Sequence, residues 1–403
     1  MPEKTKANNT AIGARRIVGQ EHLREQMWRI ITDDRLSHAY LLSGHPGTGK
    51  TAIALAFAEA INGVEHLGVL GAMKTSNRRS WYYHPDIHVY LPLPSNFTID
   101  ELRARLELLA SDPYEIVDFT QRPSLTNQEE NKNRRAFYSV EYFNTHIRKA
   151  SHLKPNEGKR TVIIITNVEK MRTEVVSAFL KLLEEPGEHV MFLLTTDNIN
   201  ALLPTVISRC QHLVCRPLDS EQIYQGLRTF DNIPDEQAHF LSRISGGNYS
   251  QTRFYDLETL QDNRDDIIRF LRASYAVDVG QILEISQKWG NEYNKEGQLA
   301  IFNLLETFLR DIAIYATDGD ESVITNSDRL DIIRNFCRHL KKARIEDMIK
   351  TLEEARTLLF QNVQAKILFT VIANRFASWM RGAEATVENS DPWKHIPAIV
   401  DPV

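Results

Sequence analysis

The chain has 403 residues, more than one ordinary domain holds, so two or three are expected. It is 42% hydrophobic and 25% charged with a net charge of −5, which excludes a disordered chain and gives no overall field favouring DNA. Its three cysteines, Cys210, Cys215 and Cys337, form no C-x-x-C pair, which argues against a disulfide framework or a cysteine-rich zinc site and fits a reducing cytoplasm.

Residues 1–14 are polar, carry no apolar signal core and are expected to be mobile. After Ile17-Val18-Gly19-Gln20, residues Leu23, Met27, Ile30 and Ile31 recur at helical spacing and predict a helix over Glu21–Thr32. Ala39 to Leu42 is a buried strand by its apolar run. Gly44-His45-Pro46-Gly47-Thr48-Gly49-Lys50-Thr51 follows, matching G-x-x-x-x-G-K-[ST] at every fixed position. Ala52 to Ala60 is rich in strong helix formers. Strand, glycine loop and helix together make a phosphate site, because glycines let backbone N–H groups converge on an anion at a helix N-terminus. Lys50 would reach the β- and γ-phosphates of ATP or ADP, and the Thr51 hydroxyl would ligate Mg²⁺. The bland alternative, a turn that binds nothing, is disfavoured by the presence of both flanking elements.

His84-Pro85-Asp86 leads into Ile87 to Leu91, which alternates like a second strand. A metal cluster of His84, Asp86 and His88 is weighed against a proline-marked strand entry, which is preferred. Residues from about 95 to 137 read as an insertion, with a helix over Thr98–Ala110 and an exposed loop at 127–135. Arg134-Arg135 with Phe137 and Tyr138 could touch nucleic acid, though a solvated loop is the simpler reading. A helix is expected over Ser139–Leu153, a buried strand at Thr161–Ile165, and a helix at Val175–Leu183. Strands at Val190–Thr196 and His212–Cys215 complete an α/β domain with a central parallel sheet flanked by helices. From Leu218 the pattern is helical: a small lobe to about residue 262, then a bundle with helices over 299–316, 327–340, 345–360 and 363–381. The tail beyond about 383 is polar and proline-containing, and Trp393 is its one docking candidate. The apolar runs are too short to span a bilayer, so no membrane role is expected.

Hydrolysis needs more than a cradle. A hydrolytic phosphate-loop site ends a core strand with an acid that helps hold Mg²⁺, and one class adds a glutamate to polarise water. Thr166 and Asn167 stand in those places after Ile163-Ile164-Ile165. Asn167 can orient water but cannot take its proton. Glu169 could substitute only through a sharp backbone bend. Arg209, in a short Ser-Arg-Cys turn, is either a solvated arginine or one aimed at a phosphate on a neighbouring subunit.

Several stretches together resemble one family. The segments His38 to Gly44, Ala178 to Pro186 (Leu-Glu-Glu-Pro) and Leu202 to Cys210 (Ser-Arg-Cys) are similar to bacterial DNA polymerase III clamp-loader subunits. His84-Pro85-Asp86 and the decayed acidic motif resemble the delta-prime branch most. The resemblance covers roughly residues 17–217, and the helical remainder matches in layout. It implies an AAA+ module over 15–217, a helical lid over 218–262, and an all-α collar over 263–383 that assembles with motor and delta-like subunits to load a sliding clamp on primer–template DNA. It further implies Arg209 as an arginine finger acting in trans and Val18 beside the adenine. Departures are plain: residues 61–83 contain no cysteine, so the family's common zinc module is absent. Ser250 stands where motor subunits carry a further arginine, with Arg253 as the nearest substitute, and the 95–137 insertion is outside the family pattern. Two readings follow: a cytoplasmic delta-prime-like stator that binds nucleotide without turning it over, or an active gamma/tau-like motor. A small-molecule kinase is a distant third, lacking any sign of an acceptor pocket.

Overall fold

The computed structural model describes residues 16–64, 80–122, 124–125, 134–254, 257–293, 295–319, 321, 324–326, 329–360 and 363–383. The expectations for the N-terminus, the 127–133 loop and Trp393 lie outside these residues. Two compact units divide between residues 254 and 255.

The first unit is built on a five-stranded sheet in the order β2-β3-β4-β1-β5. Its strands are β1 (Ala39–Ser43), β2 (Ile87–Tyr90), β3 (Thr161–Ile165), β4 (Val190–Thr196) and β5 (Gln211–Val214), and every pairing is parallel. Strands β1, β3 and β4 are buried at every position, as expected for continuous β-branched and aliphatic runs covered on both faces. Registration of Ala39 with Phe192 and of Tyr40 with Gln211 places β1 between β4 and the edge strand β5, so the loop leaving its C-terminal end rises from an interior strand. On one face Phe143, Phe179 and Phe192 meet edge to face, with ring centroids 6.1 and 5.4 Å apart.

Helix α1 (Glu21–Thr32) buries Leu23, Met27 and Ile31, and α2 (Lys50–Asn62) is buried along almost its whole length. The helix expected over Ser139–Leu153 is present as Val140–Tyr142 and Arg148–Ala150 joined by a π turn at Phe143–Ile147. Asp86 is not a metal ligand but an anchor. Its carboxylate accepts N–H bonds from Asn156, Glu157 and Gly158 at 2.6 to 2.8 Å. Burial acts to raise its pKa, and these donors outweigh that, leaving it below the usual value. Of the residues weighed for nucleic acid, Arg134 is held by Glu101 at 2.7 Å and Tyr138 is fully buried, whereas Arg135 is exposed.

Helices Ser220–Thr229 and Asp235–Ile244 and a 3-10 turn at Ser250–Phe254 close the first unit. The second unit is helical throughout its regular elements: Leu257–Ala276, Val279–Asn291, Lys295–Asp318, Leu330–His339, Ile345–Phe360 and Ala365–Met380. Leu257–Ala276 runs unbroken through residue 262, and no glycine or proline interrupts that stretch. Phe270, Trp289, Phe369 and Phe302 form the aromatic centre of this bundle, with successive centroids 5.0 to 5.1 Å apart. Among the described residues no helix is long and apolar enough to cross a membrane.

Candidate functional site

The glycine loop leaves β1 and enters α2 as expected. His45 and Pro46 are exposed, Gly44, Gly47 and Thr51 are half-buried, and Thr48, Gly49 and Lys50 are buried. Gly47 and Gly49 sit at φ +72° and +91°, the left-handed region that a side chain resists. A Cβ at Gly47 would stand 1.6 Å from Asn248 Oδ1, and one at Gly49 would stand 2.9 Å from the Tyr114 hydroxyl. The glycines are thus needed for conformation and for close approach. The Thr48 hydroxyl donates to His45 O at 2.9 Å and stiffens the loop.

Lys50 is 6% exposed. Its ammonium donates to Gly44 O at 2.9 Å and His45 O at 2.5 Å, and pairs with Asp197 Oδ1 at 2.7 Å. The backbone N–H groups of Gly49, Lys50 and Thr51 meet no protein acceptor among the described residues, the usual state of a helix's first turn. This end of the loop suits an anion: a cation, N–H groups and a helix N-terminus lie together there.

The other half is closed by protein. Val18, 3% exposed, donates its N–H to the Tyr114 hydroxyl at 2.8 Å. Tyr114 packs edge-on against Tyr249, with centroids 4.8 Å apart, and Tyr249 donates to Asp231 Oδ2 at 2.5 Å. Burial raises the pKa values of both phenols and of Asp231, so neither phenol ionises near neutral pH. Gln20, also buried, bonds Thr48 O at 3.2 Å and Arg216 O at 2.6 Å, tying the loop to the strand that leads into the small helical lobe. Sequence reasoning missed Tyr114 and Asp197, and it gave Gln20 and Asn248 no contact with the loop. Asp112-Pro113-Tyr114 carries a turn signal, Asp112 Oδ1 accepting the Tyr114 N–H at 2.9 Å, but nothing local points that turn at a loop 65 residues earlier. Ser250 is half-buried in the last 3-10 turn, and the Arg253 side chain lies outside the described residues.

Beyond β3, Thr166 is 4% exposed and bonds to the end of β2, its N–H donating to Tyr90 O at 3.1 Å. Asn167 takes φ +47°, which supplies the sharp bend that Glu169 needs. The Asn167 side-chain amide donates to Glu169 Oε1 at 3.3 Å and Asp197 Oδ2 at 3.1 Å. Lys50, Asp197, Asn167 and Glu169 form one chain of polar contacts, and Glu169 Oε2 is buried without a hydrogen-bond partner. Among the described residues no group of three or more His, Cys, Asp or Glu side chains is placed to hold a metal ion.

Arg209 lies apart, after the short helix Pro204–Ile207. Its guanidinium donates to Thr205 O at 2.8 Å and pairs with Glu184 of the Leu-Glu-Glu-Pro segment at 2.6 Å. The side chain is 33% exposed and Glu184 49%, so the pair is a surface contact worth about 0–1 kcal/mol.

Comparison with known proteins places these elements. A family model described as DNA polymerase III, delta subunit, matches residues 19–219, and one described as DNA polymerase III, delta subunit, C terminal, matches residues 259–377. The chain is 24% identical to DNA polymerase III subunit delta' of Bacillus subtilis (strain 168) over 349 residues, covering 86% of this chain and 93% of that protein. It is 30% identical over 223 residues to subunit tau/gamma of Haemophilus influenzae, covering 55% of this chain but spanning only 26% of that protein's length. A solved gamma subunit-related protein of Thermotoga maritima is 15% identical with a TM-score of 0.41, covering 88% of this chain and 100% of that one. The chain belongs to the clamp-loader subunit family of bacterial DNA polymerase III.

Proposed function

We propose that this chain is a delta-prime-like clamp-loader subunit of the replicative polymerase, an AAA+ stator whose catalytic contribution is made on a neighbour's nucleotide. The observation that carries this reading is the Arg209 turn. A permanently charged, planar donor sits at the surface, held by one exposed carboxylate and one carbonyl. It can exchange Glu184 for a γ-phosphate presented by an adjacent subunit at little cost, which is what an arginine finger requires. At its own loop Thr166 faces β2 and Asn167 is not an acid, which supports binding of ATP or ADP without turnover. Lys50 and the loop N–H groups would hold the phosphates, and Mg²⁺ would accompany them through Thr51. Val18 is not free to meet a base while Tyr114 holds its N–H.

The partners on this reading are motor and delta-like subunits of the same assembly, met through the α/β module and the helical bundle. The sliding clamp and primer–template DNA are met through the complex, in the cytoplasm. Reconstitution tests it: the chain should co-assemble with a motor subunit, and Arg209→Ala should leave assembly intact while lowering ATP turnover. A loader that turns over normally with that substitution contradicts the trans role.

A gamma/tau-like motor is the second reading. It is favoured by one observation, the bend at Asn167 that brings Glu169 beside Asp197. ATP hydrolysis by the chain alone, lost in Glu169→Gln and in Lys50→Ala, would select it.

A further inference from the structure

The turn after helix α3 (Ile99–Ser111) belongs to the insertion, and it ends inside the cradle. Tyr114 enters between three elements: Val18 on one side, Gly49 of the loop below, and Tyr249 of the small helical lobe beyond. Asn248 occupies the space over Gly47. Tyr114 and Asn248 thus stand directly against the two left-handed glycines of the loop. The loop N–H groups remain available to an anion, so the two halves disagree: the phosphate half is ready and the base half is filled.

The filling turn is fastened to α3, within itself and to the 3-10 turn after β3. Arg105 donates to Val117 O at 3.0 Å and Arg122 O at 2.6 Å. Arg122 pairs with Glu115 at 2.6 Å, and Lys170 pairs with Asp118 at 2.5 Å. To the loop side it offers a hydroxyl that accepts one N–H and a ring edge. Tyr114 can give up those contacts while Asp118 stays paired with Lys170.

We infer that Tyr114 is the residue that sets nucleotide admission at this cradle. The phenol stands in for the base, taking the Val18 N–H, and ATP or ADP enters only when Tyr114 withdraws. This rests on the reading of the glycine loop as a nucleotide cradle, and it assigns the insertion a task. The chain's resting state in solution is then nucleotide-free with its loop intact.

The test is a titration of the full chain with a fluorescent ATP analogue, read by anisotropy. Tyr114→Ala binds about tenfold more tightly than wild type, the equivalent of one hydrogen bond and one ring contact no longer displaced, and Tyr114→Phe falls between them. Removing a buried ring can also loosen the fold, so the wild type carries a second readout in amide hydrogen exchange. ATP should protect residues 44–51 while raising exchange over residues 111–122 and at Val18. Equal affinity in all three proteins, or ATP that protects residues 111–122 together with the loop, overturns the gate. If none of the three binds, the gate falls together with the nucleotide reading of the cradle, whereas the Arg209 test is untouched.

Discussion

The glycine loop and the Arg209 turn each carry a cation suited to a phosphate, and the first unit treats them in opposite ways. Lys50 is buried and bonded to two loop carbonyls and Asp197, and Asn248 and Tyr114 stand against the loop's glycines Gly47 and Gly49. Arg209 is a third exposed and tied by one surface carboxylate. A buried cation with three partners is a structural element first, and a ligand must displace something to use it. An exposed arginine in a single ion pair is free to trade that partner for another anion. The difference suggests which of the two the chain lends to chemistry, and it points outward.

Substitutions break this comparison in order of size. Arg209→Ala in a reconstituted loader should lower hydrolysis at the adjacent site by about 10³-fold or more, the scale of arginine fingers elsewhere, measured as steady-state phosphate release. Lys50→Met should destabilise the isolated chain by about 2–3 kcal/mol in chemical denaturation even without nucleotide, because Asp197 is left facing the loop carbonyls. Arg209→Ala should cost the same isolated chain under about 1 kcal/mol. A reversed ranking of these two stabilities would mean that the loop is open and the turn structural. Glu184→Gln should be smaller still in stability and should leave loader turnover undiminished, since it only releases Arg209.

The smallest effect concerns the insertion. Glu101 caps α3 through the Thr98 N–H and is pulled to about 2 chiefly by its hydrogen bonds with Arg134. Its folded value lies below the ordinary 4.5, so its contribution is complete above that pH and is lost as pH falls toward about 2. Glu101 is 38% exposed, so solvent screening keeps the effect modest. Glu101→Gln should be slightly less stable than wild type at pH 7, and the gap should close in acid, measured by thermal melts across that range.

Much of the first unit was legible because its signals are local. Continuous apolar runs such as Thr161 to Ile165 became fully buried parallel strands, and the glycine loop lay between strand and helix as its spacing requires. Two things were not legible. The Tyr114–Val18 bond joins residues 96 apart, and no periodicity encodes where a turn will land. The left-handed bend at Asn167 is a single-residue conformation that asparagine tolerates but does not announce, and it returns Glu169 to the polar chain. Leu257–Ala276 runs through residue 262 as one helix with no breaker inside it.

The paired experiment is the most direct test. Two loaders are reconstituted, one carrying Arg209→Ala in this subunit and one carrying Lys50→Ala, and their ATP turnover is compared once assembly is verified. Arg209→Ala should abolish most of the turnover that depends on this subunit, and Lys50→Ala should leave it nearly unchanged. Loss with Lys50→Ala and none with Arg209→Ala would contradict the account and make this chain a motor.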